Sequence, residues 1–248
     1  MKKSILPNPI KNILHFYYLL LIQIETPEYS NSHLRYVAGM DISFVKNETL
    51  ACSGLFVFDL SDSMRLVYED LDDEKLINME QPYVPGFLAY REAPFLLRKL
   101  DKLRREKPHL YPHCLFIDGN GVLHANKFGM ACHIGLLSDT PAIGCSKKLY
   151  QVCGLENSPE HKSRIKSELK KAGDYFQLLD NENNELLGYC YRSTKDAANP
   201  IYVSVGHKMS WETCLWLLEV GFDKWKFRIP EPIRQADILT REFLRKYQ

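Results

Sequence analysis

Residues 35–45 read RYVAGMDISFV, a strand-like run in which one acidic residue, Asp41, interrupts mostly small and apolar side chains. Residues 50–60 (LACSGLFVFDL) and 64–71 (MRLVYEDL) follow as two more strand-like runs, separated by polar turns. Apolar runs bounded by turn residues are typical of strands in hairpin order. The stretch therefore predicts three antiparallel strands at the start of a sheet.

The rest of the chain alternates helical and strand-like patterns. A Pro-Tyr-Val-Pro loop at residues 82–85 precedes a long helical pattern over 87–106, and residues 113–118 (HCLFID) are typical of a buried strand. This order predicts an α/β fold with a mixed sheet, three antiparallel strands and then parallel strands, flanked by helices. The later helices are expected over residues 128–137, 160–172, 211–220 and 232–247, and the later strands over 142–145, 185–192 and 201–205.

Length and composition favour one soluble domain. No Pro/Gly/Ser-rich linker divides the 248 residues, a length that one domain can reach. We therefore expect an N-terminal segment, residues 1–34, and a single domain over 35–248. The net charge of +1 weakens the case for a general polyanion coat but leaves room for a local basic groove.

The cysteines and the N-terminal segment bear on location. Seven cysteines without a C-x-x-C pair favour reduced thiols over a disulfide framework or a zinc site, so we expect a cytoplasmic protein, with the nucleus as a second location. Residues 13–24 (ILHFYYLLLIQI) would span about 18 Å as a helix, against about 30 Å for a bilayer core. We expect a packed or amphipathic segment and no membrane partner; a cleaved signal peptide is the alternative.

Three acidic residues lie at positions of strands and a helix where apolar or uncharged side chains are usual. Asp41 shares a strand face with Val37 and Gly39, and a buried charge there is costly unless it is paired or bound to metal. Glu92 lies on the apolar stripe of the 87–106 helix. Asp118 ends a buried strand, the position at which open α/β sheets bind ligands. The alternatives are an exposed strand face for Asp41 and an N-cap or turn role for Asp118. For Glu92 they are a position at the core edge or an ion pair with Arg91 or Arg98.

Together these residues predict a metal-dependent hydrolase. With Asp237 on the last helix, the oxygen ligands suit Mg²⁺, and such sites hydrolyse phosphodiesters. His124 and His207 end apolar stretches and could orient water or contact phosphate. Lys147 follows a short strand and could hold a phosphate. A structural histidine and a solvated lysine are the alternatives.

Several blocks, in the same order, resemble the endonuclease V family from about Arg35 to the C-terminus. They are residues 39–44 (GMDISF), 82–88 (PYVPGFL), 91–92 (RE), 118–124 (DGNGVLH), 128–129 (FG), 147–149 (KKL), 204–207 (SVGH) and 228–232 (RIPEP).

The resemblance implies an RNase H-like fold and hydrolysis of the second phosphodiester bond 3′ to inosine, which leaves 3′-hydroxyl and 5′-phosphate ends. It implies Mg²⁺, with Mn²⁺ as a substitute, bound by Asp41, Glu92 and Asp118, with Asp237 or His207 completing the site. Lys147 would contact the phosphate near the cut, and His124 would lie near the attacking water or the scissile phosphate.

The resemblance also implies how the base is recognised. Tyr83 lies in a loop with Pro82, Val84 and Pro85 and matches the family's wedge, which stacks in place of the displaced base. Stacking on an unpaired base is worth roughly 1–3 kcal/mol. The positions that match the hypoxanthine pocket are Gly86, Leu88, Gly119, Gly121, Gly129 and Met130.

Asn120 makes the 118–124 block similar to that of animal members, which act on inosine in single-stranded RNA. We therefore expect a monomeric, metal-dependent inosine endoribonuclease. A repair nuclease for deoxyinosine in DNA is one alternative. The other alternative is an inosine-RNA binding module that does not cleave. The three carboxylates argue against it, because a module that only binds RNA has no need for clustered negative charge that repels phosphate.

Overall fold

The computed structural model describes residues 34–46, 48–72, 76–81, 86, 88–222 and 227–247. The strands are β1 (Tyr36–Phe44), β2 (Leu50–Asp59), β3 (Arg65–Leu71), β4 (Ile77–Asn78), β5 (Cys114–Asp118), β6 (Ala142–Ser146), β7 (Tyr175–Leu179), β8 (Leu186–Tyr191) and β9 (Ile201–His207). The helices are α1 (Leu88–Glu106), α2 (Met130–Ser138), α3 (Pro159–Glu168), α4 (Trp211–Phe222) and α5 (Glu231–Leu244).

The strands form one mixed sheet in the order β3-β2-β1-β5-β6-β9-β8-β7, with β4 pairing beside β2. The antiparallel β1–β2–β3 group is confirmed, and β5 and β6 run parallel to β1 as expected. The expected parallel continuation ends there, because β9, β8 and β7 are all antiparallel to their neighbours. The short strands β4 and β7 were absent from the sequence-based prediction.

Helices cover both faces of the sheet. On one face, α1 and α2 bury an apolar layer that includes Leu96, Leu100 and Ile134 against Leu115 and Ile117. On the other face, α4 and α5 pack against β1, β5, β6 and β9 through a second apolar layer. The alternation of side chains along β1 and β5 therefore separates two buried layers.

The free thiols agree with the expectation of reduced cysteines. All seven cysteines are free, and six of them are buried. Within the described ranges, no helix is long and apolar enough to cross a bilayer. Residues 1–33, which include the apolar run at 13–24, lie outside the described residues.

Candidate active site

Asp41 and Asp118 come together because β1 and β5 are parallel neighbours. Met40 is paired with Ile117, so the next residue of each strand, Asp41 and Asp118, occupies the same level at the carboxyl end of the sheet. Both side chains belong to the face that α5 covers, since Phe116 and Val37 on that face pack against Ile233 and Ala236. The strand alternation predicted for Asp41 is thus the one observed.

Gly39 allows α5 to approach β1. A Cβ atom at this position would overlap the backbone carbonyl of Pro232, at the start of α5. The missing side chain lets the helix lie directly on the strand, and this brings Thr240 over Asp41. Thr240 Oγ1 and Ser43 Oγ lie 2.9 and 3.0 Å from Asp41 Oδ2 and donate to it.

Burial dominates the electrostatics of Asp41. Loss of water raises the pKa of its carboxyl group, the two hydroxyl donors lower it, and the negative charges of Asp118 and Asp237 raise it further. Both described hydrogen bonds to the side chain are made to Oδ2. The other oxygen, Oδ1, accepts no hydrogen bond from a described residue and is available to a ligand.

Glu92 lies on α1, and its carboxyl group is near enough to Asp41 for the two charges to interact. It is partly buried and lies between Ala89, Ala93 and Leu96, which pack against the sheet. Burial raises its pKa to about 7, Arg91 opposes that rise, and the charge of Asp41 adds to it. Glu92 forms no ion pair within 4.0 Å with any residue that the structure describes. A buried acid whose pKa is raised this far is typical of functional sites.

Asp237 and Lys147 complete the group. Lys147 Nζ donates to Asp118 Oδ2 at 2.6 Å and lies 4.0 Å from Asp237 Oδ2. The other oxygen of Asp237 accepts from Arg241, one turn further along α5, at 2.8 Å. Asp41, Asp118, Asp237, Lys147 and Arg241 line one cavity of about 490 Å³. Of the two residues expected to complete the carboxylate set, Asp237 is therefore the one at the site.

The expectation that His207 could complete the site is wrong. β9 runs antiparallel to β6, and His207 is paired with Ala142, at the first residue of β6, whereas Asp118 is paired with Cys145 near its end. Three strand residues separate these levels, roughly 10 Å. His207 is 3% exposed, and its Nε2 lies 3.5 Å from Asp139 Oδ1. Burial lowers the pKa of its imidazole.

His124 lies beside an aromatic ring that the sequence did not single out. Its imidazole stacks on Tyr150, with ring centroids 5.3 Å apart and planes at 5°. Burial lowers the pKa of His124, which keeps the ring neutral at neutral pH. Its Nδ1 accepts from the backbone N–H of Asn126. None of its described hydrogen bonds is to a carboxylate of the site.

Four of the six residues assigned to the base pocket gather at the start of α2. Gly119 has φ +153°, and a Cβ on it would lie 3.3 Å from that of Met130. A side chain at Gly121 would overlap the Val205 carbonyl, and one at Gly129 would overlap that of Asn120. The glycines therefore allow backbone segments to pack closely, whatever else they contact.

Of the remaining pocket and wedge residues, the structure describes Gly86 and Leu88. Gly86 has φ +80°, and a Cβ there would lie 3.6 Å from Tyr150 Oη, which places it near His124. Leu88 is the first residue of α1 and is 36% exposed. Pro82, Tyr83, Val84 and Pro85 lie outside the described residues.

Chemically, this arrangement can bind a hard divalent cation. Asp41, Glu92, Asp118 and Asp237 offer only oxygen donors, which suit such an ion. Burial raises the pKa of Asp41 and of Glu92, so a bound cation would favour their ionised forms. In the described part of the chain, no group of three or more Asp, Glu, His or Cys side chains is placed to ligate a single metal ion. The Lys147 ammonium occupies the position beside Asp118.

Sequence reasoning missed Thr240, Arg241 and Tyr150. Arg241 could have been found, because it follows Asp237 by four residues on a predicted helix. Thr240 acts on Asp41 across 199 residues, a contact that no local pattern reveals.

The comparisons with known proteins agree with this geometry. A sequence model described as endonuclease V matches residues 20–238, beginning upstream of Arg35. Human endonuclease V is 46% identical over 216 residues, which cover 87% of this chain and 73% of that protein. The mouse protein is 44% identical over 218 residues, and the match spans 88% of this chain but only 62% of the mouse protein's length.

Solved structures agree as well. A crystal structure of human endonuclease V matches with a TM-score of 0.85 and 40% identity, covering 97% of this chain and 99% of that one. Endonuclease V of Ciona intestinalis, in complex with a 24mer DNA containing an inosine followed by a ribo-adenosine, matches with a TM-score of 0.85 and 32% identity, covering 98% of this chain and all of that one. By sequence and by fold, the chain belongs to the endonuclease V family of nucleases.

Proposed function

We propose that this chain is an inosine-directed endoribonuclease. It hydrolyses the second phosphodiester bond 3′ to inosine in single-stranded RNA and leaves 3′-hydroxyl and 5′-phosphate ends. The observation that carries the proposal is the pairing of Asp41 and Asp118 at one level of adjacent parallel strands, facing Asp237 and Lys147 in a single cavity.

The proposed cofactor is Mg²⁺, with Mn²⁺ as a substitute. Asp41, Glu92 and Asp118 would hold it, with Asp237 completing the set. A bound divalent ion would activate water and neutralise the charge that develops at the phosphate. Two features support this assignment: Oδ1 of Asp41 accepts no hydrogen bond from a described residue, and Glu92 forms no ion pair with one.

The chain's own residues have separate tasks. Ser43 and Thr240 hold Asp41 Oδ2, which fixes the orientation of the carboxylate. Arg241 holds one oxygen of Asp237 and leaves the other directed toward Lys147. When a nucleic acid enters, Lys147 can exchange Asp118 for a phosphate oxygen and bind it as a point charge. His124, kept neutral by burial, can accept or donate one hydrogen bond near the strand.

Recognition of the base is assigned to the loops around α2 and α1. The closely packed backbone around Gly119, Gly121, Gly129 and Met130 would fix the shape of the loop that a flipped base approaches. Tyr83 would stack in the place of the displaced base.

The preference for RNA is supported by one feature of a relative. The nucleic acid bound to the Ciona protein carries ribose at the nucleotide that follows inosine. In the proposed reaction, the bond that breaks is the one on the 3′ side of that nucleotide. A contact to its 2′-hydroxyl would distinguish RNA from DNA at the site of cutting.

Four matched single strands test the proposal: RNA and DNA, each with and without one inosine, incubated with the chain and Mg²⁺. We expect cleavage of the inosine RNA well above the inosine DNA, one nucleotide beyond the modified base. A preference for the DNA strand would assign the chain to deoxyinosine repair. Cleavage without inosine dependence would reduce it to a general metal nuclease.

Metal dependence distinguishes the nuclease from a module that only binds. Chelation should abolish cleavage by the wild-type chain, and Asp118→Asn should do the same in the presence of Mg²⁺. Binding of the inosine strand should persist in part under both conditions. Binding without any cleavage at saturating Mg²⁺ and Mn²⁺ would favour the binding module.

A further inference from the structure

A second cavity, of about 630 Å³, adjoins the carboxylate cavity and shares Lys147 with it. Its walls come from the segment after β6, from α3, from the loop before β9 and from Arg228. The volume lies within the range of about 300–1,000 Å³ typical of ligand pockets. We call it the basic cavity.

The basic cavity concentrates positive charge in a chain whose net charge is only +1. Five cationic side chains line it, and of the described lining residues none is acidic. The five are Lys147, Lys148, Lys162, Lys166 and Arg228. A concave surface lined by charges of one sign focuses the electrostatic field and attracts a polyanion.

The helix α3 directs its unpaired cations into the basic cavity. Lys162 and Lys166 are four residues apart, so they lie on the same side of the helix. Neither forms an ion pair with a described residue. Arg164, on the same helix but outside the cavity, is paired with Glu168 at 2.7 Å. The lysines that line the cavity are the ones left available to a ligand.

Arg228 is fixed in place by backbone carbonyls. Its guanidinium donates to Lys147 O at 2.6 Å and to Pro200 O at 2.7 Å. These bonds connect the loop before β9 to the segment that carries Lys147. The wall nearest the carboxylates is therefore held in position before any ligand binds.

We propose that the basic cavity binds the backbone phosphates of the strand on the 3′ side of the cut, beginning with the 5′-phosphate that cleavage creates. The assignment rests on the proposed function for the position of the cut. Lys147 is common to both cavities, so the first phosphate in the basic cavity neighbours the scissile one.

The basic cavity is assigned to the strand downstream of the cut because no described base-pocket residue lines it. The described base-pocket residues are Gly86, Leu88, Gly119, Gly121, Gly129 and Met130, and none of them lines the basic cavity. A strand whose inosine sits at those residues reaches Asp118 and Lys147 next, and continues into the basic cavity beyond Lys147. The cavity therefore takes the downstream strand.

The test uses the two product halves, so it does not depend on inosine cleavage. A fluorescent RNA hexanucleotide with a 5′-phosphate represents the downstream half, and an inosine-containing hexanucleotide with a 3′-hydroxyl represents the upstream half. Binding of each to the full chain is measured by anisotropy in chelator, for the wild type and for Lys162→Ala/Lys166→Ala. The control is Lys170→Ala/Lys171→Ala, which removes the same charge from exposed residues outside the cavity.

We expect the double variant to lose roughly 10- to 30-fold in affinity for the downstream half at about 0.1 M salt. Its salt dependence should also weaken by about 0.7 per lost phosphate contact. The upstream half and the control variant should show little change. Equal losses for both halves, a loss confined to the upstream half, or a loss in the control as large as in the test variant would overturn the proposal.

A second pair of substitutions tests whether the loss of binding comes from charge and not from a damaged fold. Lys162→Glu/Lys166→Glu should weaken binding of the downstream half further than the alanine pair while the thermal midpoint stays unchanged. If the four-strand assay fails to show inosine-dependent cleavage but the downstream half still depends on Lys162 and Lys166, the proposed function fails and the basic cavity remains a phosphate site. If cleavage is inosine-dependent and the fragment binds equally to all variants, only the cavity assignment fails.

Discussion

Lys147 Nζ lies 2.6 Å from Asp118 Oδ2 and 4.0 Å from Asp237 Oδ2, so one ammonium group bridges two acidic residues of different elements. The cation stands among the carboxylates that are proposed to bind metal. It compensates part of their charge and would compete with a metal ion for Asp118 Oδ2. In the proposed function, Lys147 would therefore link the charge of the metal site to the binding of phosphate.

Lys147→Met is expected to separate these two tasks. Cleavage should fall by roughly 10²–10³-fold, the usual cost of removing one group that stabilises charge in the transition state. Binding of Mn²⁺ in the absence of nucleic acid should become tighter, because Asp118 loses a competing cation. Single-turnover cleavage and calorimetric titration with Mn²⁺ measure the two effects. Unchanged or weaker Mn²⁺ binding would show that the ion pair with Asp118 does not compete with metal.

Asp41→Ala is expected to abolish cleavage and to leave binding of the inosine strand largely intact. The structure supports this separation, because Asp41 contacts Ser43 and Thr240 within the protein and lies in the carboxylate cavity. Thr240→Val is the matched variant, since it removes one hydrogen bond to Asp41 and keeps the carboxylate. We expect about a 10-fold loss for Thr240→Val, in line with a hydrogen bond to a charged group of roughly 1.5 kcal/mol. Normal turnover by Asp41→Ala would remove Asp41 from the site.

The raised pKa of Glu92 predicts that the stability of the metal-free protein falls as the pH rises. Its pKa is raised from 4.5 to about 7, so the folded state holds the proton more tightly than the unfolded state does. This contribution to stability is fully present below about pH 4.5 and is lost as the pH rises through 7. Glu92→Gln should therefore unfold at higher denaturant than the wild type at pH 8, by roughly 1–3 kcal/mol, and should match it at pH 4.

Denaturation of the metal-free wild type and of Glu92→Gln at the two pH values gives the measurement. Saturating Mg²⁺ should reduce or reverse the difference at pH 8, because a bound cation stabilises the ionised form of Glu92. A difference that is the same at pH 4 and pH 8 would show that packing, and not ionisation, distinguishes the variant.

The carboxylates were predictable from sequence because their signals are local. Asp41 interrupts a strand, Glu92 interrupts an apolar helix stripe, and Asp118 ends a buried run, and each of these patterns depends on one element alone. His207 follows a similar apolar run in Ser-Val-Gly-His, yet it lies at the other end of the sheet. The difference is strand direction, which short apolar runs do not encode.

Contacts between distant elements were the second limit. Thr240 reaches Asp41 only because α5 lies against β1, and the basic cavity assembles Lys147, α3 and Arg228 from separate parts of the chain. Lys162 and Lys166 fall in a predicted helix, but a sequence pattern does not distinguish a solvated helix face from the wall of a groove. The fold decides this, because only it brings the helix next to Lys147.

Tyr83→Ala tests the wedge that the family resemblance implies. We expect binding of the inosine strand to weaken by roughly 1–3 kcal/mol, the increment of one base stacked on an aromatic ring, while Tyr83→Phe binds as the wild type does. Anisotropy with an inosine strand in chelator measures the change. Tyr90→Ala is the control, since Tyr90 is an exposed tyrosine that packs edge-on against His133. Equal losses for Tyr83→Ala and Tyr90→Ala would remove the specific role of Tyr83.

Gly39→Ala is expected to damage the site without touching a catalytic group. The new methyl would overlap the Pro232 carbonyl, and since that atom belongs to the backbone, α5 must shift away from β1. Thr240 and Asp237 would move with the helix and lose their positions relative to Asp41. Overpacking of this kind costs typically 1–3 kcal/mol, and we expect cleavage to fall further than stability because the carboxylates separate.

The comparison variant is Ala38→Gly, at the neighbouring strand position on the opposite face of β1. It changes one methyl group in the other apolar layer and leaves the contact between β1 and α5 in place. Chemical denaturation and Mn²⁺ affinity measured on both variants separate a loss of stability from a loss of site geometry. If Gly39→Ala and Ala38→Gly lose similar stability but only Gly39→Ala loses Mn²⁺ binding, the close approach of α5 to β1 is what assembles the site. Equal Mn²⁺ affinity in the two variants would show that Asp237 and Thr240 are positioned independently of Gly39.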